Sequence, residues 1–139
     1  MMAALCGVGL GLLLCQLRDA PSAEPFVRRR VGEKAWLLVV SLRFKRADDL
    51  DVFLGAFTPM ASAVSRSEPA TLGYEVSRSE KDPLLVMIFE RYASKLDYLD
   101  THKAMKHFLK FRPKLQQLQD AHKVVVSGES FQELGVGFM

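Results

Sequence analysis

Cysteine is almost missing from this chain. Among 139 residues only Cys6 and Cys15 are cysteines, and both sit near the start. No thiol follows Cys15, so no disulfide staples the folded part and no cysteine-based metal site is open to it. The two thiols therefore say nothing about redox compartment. Tryptophan is as scarce, with Trp36 alone. Charge of one sign does not dominate either: 19 lysines and arginines face 16 aspartates and glutamates. The one dense basic cluster, Arg28-Arg29-Arg30, precedes the folded part and reads as a solvated linker. Basic residues are not interleaved with stacking aromatics, so no nucleic-acid partner is expected. The 3 histidines include no pair at i, i+4 spacing, and no metal is expected.

A hydrophobic run long enough to span a bilayer is also lacking. Met1 to Leu17 carries no charged side chain. It falls short of the roughly 20 residues a membrane helix needs, so no stable span is expected. The run has the length of a signal-peptide apolar core but lacks the basic flank before it. Two readings stand level: a targeting segment, or an imprecise gene start or disordered leader, in which case the protein is expected to be cytoplasmic. Residues 1–33 are set aside as leader and linker, 34–130 as the domain and 131–139 as a tail.

The pattern changes at Lys34. Trp36 to Phe44, WLLVVSLRF, is rich in β-branched and aromatic residues and apolar on both faces, which predicts a strand that wants cover on both sides. Asp48 then reads as a helix N-cap, with Asp51 in capping-box position. Leu50, Phe53, Leu54, Phe57, Ala61 and Val64 follow helical spacing, with a kink expected at Pro59. Ala70 to Ser79 and Leu84 to Tyr92 read as strands joined by the short turn Glu80-Lys81-Asp82-Pro83, an antiparallel hairpin. Ser94 caps a short helix, with Leu96 and Leu99 inward. A following helix turns Met105, Phe108, Phe111, Leu115 and Leu118 inward, with a kink or restart at Pro113. The lysines Lys103, Lys106, Lys110 and Lys114 form its solvated outer face. Lys123 to Ser127 is the last strand. The order is β-α-β-β-α-β, an α+β ferredoxin-like arrangement: a four-stranded antiparallel sheet with helices on one face. Strands apolar on both faces leave the other face needing cover, which argues for a homodimer through the sheets.

Phe89 to Phe111, FERYASKLDYLDTHKAMKHFLKF, joins an acidic-aromatic strand end to a short helix, a His and a His-Phe helix start. This stretch resembles the signature of the antibiotic-biosynthesis-monooxygenase family of dimeric α/β-barrel proteins. Leu72-Gly73-Tyr74-Glu75 is similar to that family's second strand, and Leu85 to Tyr92 to its third. The resemblance covers about Trp36 to Ser127. It implies a dimeric α/β barrel and places His102 and His107 where the family has its two histidines. It also implies cofactor-free oxidation of a small electron-rich aromatic or quinol by dioxygen. Ser41 stands where the haem-degrading branch has Asn, which speaks against haem.

Such a reaction needs a base, an oxyanion stabiliser and a dry apolar pocket. His102 is the candidate base, Glu90 a group that holds a histidine tautomer, and Tyr92 a catalytic hydroxyl that orients the substrate. Tyr74, Phe89, Met105, His107 and Phe108 are candidate substrate-binding residues. No cofactor is expected. Each has a plainer reading. His102 caps helix carbonyls. His107 points roughly 140° away on an unbroken helix, so only a break near Lys103-Ala104 brings both histidines to one cavity. Glu90 pairs with Arg91, Arg43 or Arg78. The alternative function is a non-catalytic dimeric α/β barrel, a binding or stress-associated protein.

Overall fold

The structure is a computed structural model that describes residues 34–137. The expectations for the leader lie outside the described residues. Strand β1 (Trp36–Phe44) leads into helix α1 (Ala47–Ser67), and β2 (Thr71–Arg78) and β3 (Leu85–Tyr92) form the hairpin. Helix α2 (Lys106–Asp120) and β4 (Val124–Gln132) complete the chain. The sheet runs β2-β3-β1-β4, every neighbour antiparallel, and is open at both edges. This is the expected ferredoxin-like βαββαβ fold.

Strand alternation sorts the side chains. Leu42, Phe44, Val86, Ile88 and Val124 point to the helices and pack with Phe53, Phe57, Met60, Val64, Phe111, Leu115 and Leu118. The opposite face carries Leu37, Val39, Met87, Phe89, Val125 and Phe131. Of these Met87, Val125 and Phe131 are exposed.

Several local expectations need correction. Asp48 does not cap α1. The cap position is Arg46, extended and without a side-chain cap bond, and Asp48 lies in the first turn, 3.2 Å from the Arg46 guanidinium. A carboxylate there gains from the helix dipole without capping. Buried Asp49 instead meets Lys123 Nζ at 2.9 Å, tying the start of α1 to the start of β4. Both helices run through their prolines, so Pro113 does not restart α2. Leu96 and Leu99 are exposed, not inward. The last strand extends to Gln132, beyond the Lys123–Ser127 core, because β1 supplies a full-length ladder partner whatever the polarity of Ser127 to Ser130. Glu133 then accepts from Ala35 N–H at 2.9 Å and Arg91 Nε–H at 2.6 Å, so the tail's first residues are tied to the sheet.

Candidate functional site

The chain between β3 and α2 is irregular, and this irregularity builds the site. The Ser94 hydroxyl accepts from Asp97 N–H at 3.3 Å and donates to its carboxylate at 2.7 Å, starting the segment as the Ser94 cap predicts. A wide π turn follows over Asp97–Thr101, then a tight 3-10 turn over His102–Ala104. Met105 is extended, with φ −69 and ψ 141, and α2 begins afresh at Lys106. Such widened turns are frequent at functional sites. The break re-aims the next helix, so His102 and His107 reach one group in spite of their five-residue spacing.

That group is Glu68, which the sequence reading passed over. It follows α1 directly and precedes Pro69, whose ring disfavours a helical Glu68 and ends α1 there. Its carboxylate is buried. Oε2 accepts from Thr71 Oγ1–H at 3.0 Å and from His102 Nδ1 at 2.9 Å. Oε1 contacts His107 Nε2 within hydrogen-bond distance. Burial alone would raise the Glu68 carboxyl. Hydrogen bonds from His107 and His102, the charge of His102 and the Thr71 hydroxyl together hold it below its ordinary value. An ionised carboxylate only accepts, so His102 Nδ1 carries the hydrogen. Burial lowers the His102 imidazole against the pull of Glu68, favouring its neutral form. The Nε2 lone pair is then the free base position, and Nε2 is buried with no hydrogen-bond partner among the described residues.

Aromatic rings enclose that imidazole. Phe108 lies 4.9 Å from it, Tyr74 5.4 Å, Tyr92 5.5 Å and Tyr98 6.0 Å, centroid to centroid. Trp36 packs on Tyr98 at 5.1 Å, and Phe57 stacks on Tyr74 at 5.4 Å. Buried Tyr92 donates to Glu90 Oε2 at 2.7 Å. Burial raises the Glu90 carboxyl to about 7, only partly offset by Tyr92, and the charge of Glu68 adds to the rise. Burial also pushes the phenols of Tyr74 and Tyr92 well above their ordinary range, chiefly with the charge of Glu90 behind it, so both stay protonated.

Of the residues singled out from the sequence, buried His102, Tyr92 and Glu90 gather in one cluster with partly buried Tyr74 and Phe108, and His107 joins through Glu68. Met105 lies between the histidines, half-buried, its N–H donating to the His102 carbonyl at 3.1 Å. Phe89 is corrected. It points to the opposite sheet face beside Gly73 and walls no part of this cluster, because it alternates with Ile88 and Glu90 along β3. Glu90 holds Tyr92 rather than a histidine. Neither of the two expected arginines that form ion pairs turns to it, since Arg91 pairs with Glu133 and Arg43 with Asp82. Tyr98 and Trp36 were also missed as members of the cluster. Tyr98 falls between two leucines that helical spacing nominated instead.

His102 is 1% exposed, whereas His107 is 16% exposed in its side chain. His107 lines an open groove of about 210 Å³ between the helices, with Ala56, Pro59, Met60, Lys110, Phe111 and Lys114. The imidazole of His107 is thus the member of the Glu68 cluster that meets solvent. Glu68, His102 and His107 also offer one ligand atom each within 4.8 Å of one another, a nitrogen-and-carboxylate set suited to a divalent transition metal.

Residues 37–114 match the antibiotic biosynthesis monooxygenase family. Solved structures share the fold. A Nitrosomonas europaea protein provisionally called an antibiotic biosynthesis monooxygenase is 20% identical, with a TM-score of 0.61 over 72% of this chain and 90% of that one. A Caulobacter crescentus protein with the same provisional name is 20% identical, with a TM-score of 0.61 over 73% and 92%. A Bacteroides thetaiotaomicron protein of unknown function is 17% identical, with a TM-score of 0.61 over 73% and 100%. No curated protein matches the chain. Among the described residues, no helix is long and apolar enough to cross a membrane.

Proposed function

Since the chain belongs to the antibiotic biosynthesis monooxygenase family, we propose that it is a cofactor-independent monooxygenase. Its substrate is a small electron-rich aromatic or quinol, its oxidant dioxygen, and it works as a homodimer joined through the open sheet faces. The observation that carries the reading is the His102–Glu68 pair. It leaves an unpartnered imidazole nitrogen inside a shell of Tyr74, Tyr92, Tyr98 and Phe108.

In the proposed reaction His102 Nε2 takes a proton from a phenol or enol. The imidazolium so formed is stabilised by ionised Glu68, as in other carboxylate-oriented histidine bases. The substrate anion gives one electron to dioxygen, and the radical pair joins as a peroxide. With an anthrone, the ring CH₂ becomes C=O. One oxygen atom stays on carbon, and the other leaves as water after His102 returns its proton. Tyr74 and Tyr92, kept protonated, orient the ring and its oxygen. Substrate entry requires the Asp97–Ala104 segment to shift, because His102 is fully covered.

That complete burial favours a second reading, in which Glu68 and the histidines are a structural polar network in a non-catalytic binding protein. Oxygen uptake by the purified protein with a panel of quinols and anthrones separates the two. Substrate-dependent uptake lost in Glu68→Gln supports the enzyme. No uptake with any panel member gives the non-catalytic reading.

A further inference from the structure

We propose that Glu68, His102 and His107 form a binding site for a first-row divalent transition cation. The proposal goes beyond the oxygenase reading and does not need it.

The three residues come from two distant parts of the chain, 34 and 39 residues apart, and converge on one point. One ligand atom from each of the three residues lies within 4.8 Å of the other two, and the nitrogens that face Glu68 are His102 Nδ1 and His107 Nε2. Around a tetrahedral ion with bonds near 2.1 Å, ligand atoms stand roughly 3.4 Å apart. His102 Nδ1 is 2.9 Å from Glu68 Oε2, so a small outward movement of the imidazole makes room.

Electrostatics favours an occupant. Glu68 is a carboxylate whose side chain is 1% exposed. Its partners are Thr71, His102 and His107, and among the described residues no lysine or arginine pairs with it. Buried charges are paired with opposite charge or coordinate metals. A divalent ion takes the place of the two shared hydrogens, which move to the other ring nitrogens, and sets a positive charge against the carboxylate. Thr71 Oγ1–H, at 3.0 Å, fixes the carboxylate from outside the ligand set, as second-layer hydrogen bonds do in metal sites. His107 is the ligand that opens on the groove between α1 and α2, which also carries Lys110 and Lys114, so an ion and its water would enter from the His107 side.

Two nitrogens and a carboxylate select among ions. Magnesium and calcium prefer all-oxygen shells, and copper(I) prefers sulfur. Zinc, cobalt and iron(II) accept this set.

Occupancy and base chemistry exclude each other. A cation on His102 Nδ1 leaves the ring's single proton on Nε2, where it can no longer accept one. Metal therefore acts on the proposed reaction as an inhibitor, removable by a chelator.

Cobalt(II) tests the site without reference to turnover. The full-length chain, stripped with a chelator and dialysed, is titrated with Co(II) and its visible spectrum recorded. The expected result is a set of d–d bands that saturates at one equivalent per chain and is displaced by Zn(II). Zn(II) should also raise the melting temperature. His107→Ala, at the exposed edge of the site, should keep its fold by circular dichroism. It should weaken Co(II) binding by about tenfold or more, the scale seen when metal-site groups are removed. Absence of bands at tenfold excess Co(II) would overturn the proposal. So would bands that persist at the same affinity in His107→Ala, which place the ion elsewhere. Neither result depends on oxygen uptake, so failure of the oxygenase reading leaves this test intact.

Discussion

His102 Nδ1 donates to Glu68 Oε2 at 2.9 Å, and both side chains are 1% exposed. The bond fastens the irregular segment before α2 to the end of α1. It also fixes the tautomer of the imidazole. One contact thus sets both the packing of the helical layer and the direction of any base it contains.

Removing that imidazole should cost stability. Read from sequence as a pocket base, His102 could be lost to Ala at the expense of turnover with stability largely intact. The observed burial reverses this. His102→Ala leaves a ring-sized cavity and a buried carboxylate short of a partner. The expected loss is about 2–5 kcal/mol, the range for large core truncations and broken buried pairs. His107→Ala, partly solvated, should cost clearly less. Urea denaturation of both variants gives the comparison. Equal small losses would mean that His102 packs loosely.

Glu68→Gln keeps the shape of the carboxylate but adds an N–H donor. The amide can then donate to His102 Nδ1, which moves the imidazole hydrogen to Nε2. In the proposed reaction, turnover should fall by roughly two to four orders of magnitude, the usual worth of a positioned base. Substrate affinity should change little. The readout is oxygen consumption at saturating quinol. A variant as fast as the unmutated enzyme would remove Glu68 from the mechanism.

Glu90 should give the fold a pH dependence of its own. It faces Tyr92 on β3, Tyr74 on β2, Tyr98 and, farther off, Glu68. Its carboxyl is raised to about 7 in the folded chain from 4.5. The folded state therefore holds the proton more tightly. The stability linked to Glu90 is fully present below about pH 4.5 and is lost as pH rises through 7. From the size of the shift the change is on the order of 3 kcal/mol. Glu68 acts in the opposite sense, but its lowered carboxyl titrates below 4.5, outside this window; His102, lowered from 6.5, also acts in the opposite sense, losing stability as pH falls below 6.5. Glu90→Gln should abolish the fall in stability as pH rises through 7 and be at least as stable as the parent at pH 8. Denaturant midpoints across that range decide it. Parallel profiles would show that another group carries the slope.

Which parts were legible in the sequence follows from the distance over which each is decided. WLLVVSLRF and LLVMIFERY declare strands because β-branched and aromatic residues fill successive positions. The strand β4 continues through Gly128 and Glu129, where pairing with β1 overrides propensity. Helical spacing turned Leu96 and Leu99 inward, but the π turn over Asp97–Thr101 rotates Tyr98 and His102 there instead. His102, Glu90 and Tyr92 could be nominated because they lie close together in sequence. Glu68 could not. It reaches the histidines only through the packing of α1 on the sheet, and no spacing rule connects a helix-end Glu to a His 34 residues later.

The open sheet face carries the last expectation. Val39 lies in the central strand β1, between Phe89 of β3 and Glu129 of β4, on the face away from the helices. Its neighbours Leu37, Met87, Val125 and Phe131 make that face apolar, and three of them are exposed. An apolar sheet face of this extent should not stay in water, and the proposed second copy would cover it with a matching surface. Light scattering after size exclusion at micromolar concentration should therefore give a dimer. Val39→Glu sets a charge at the centre of the joined faces, where it finds no partner. Burial of such a group is costly, so dissociation should rise by about a hundredfold or more. The helix-side core does not touch this position, and the separated chain should keep its helical circular dichroism. A monodisperse monomer in the unmutated protein would sink the sheet-face dimer. A dimer that survives Val39→Glu unchanged would move the interface to another surface.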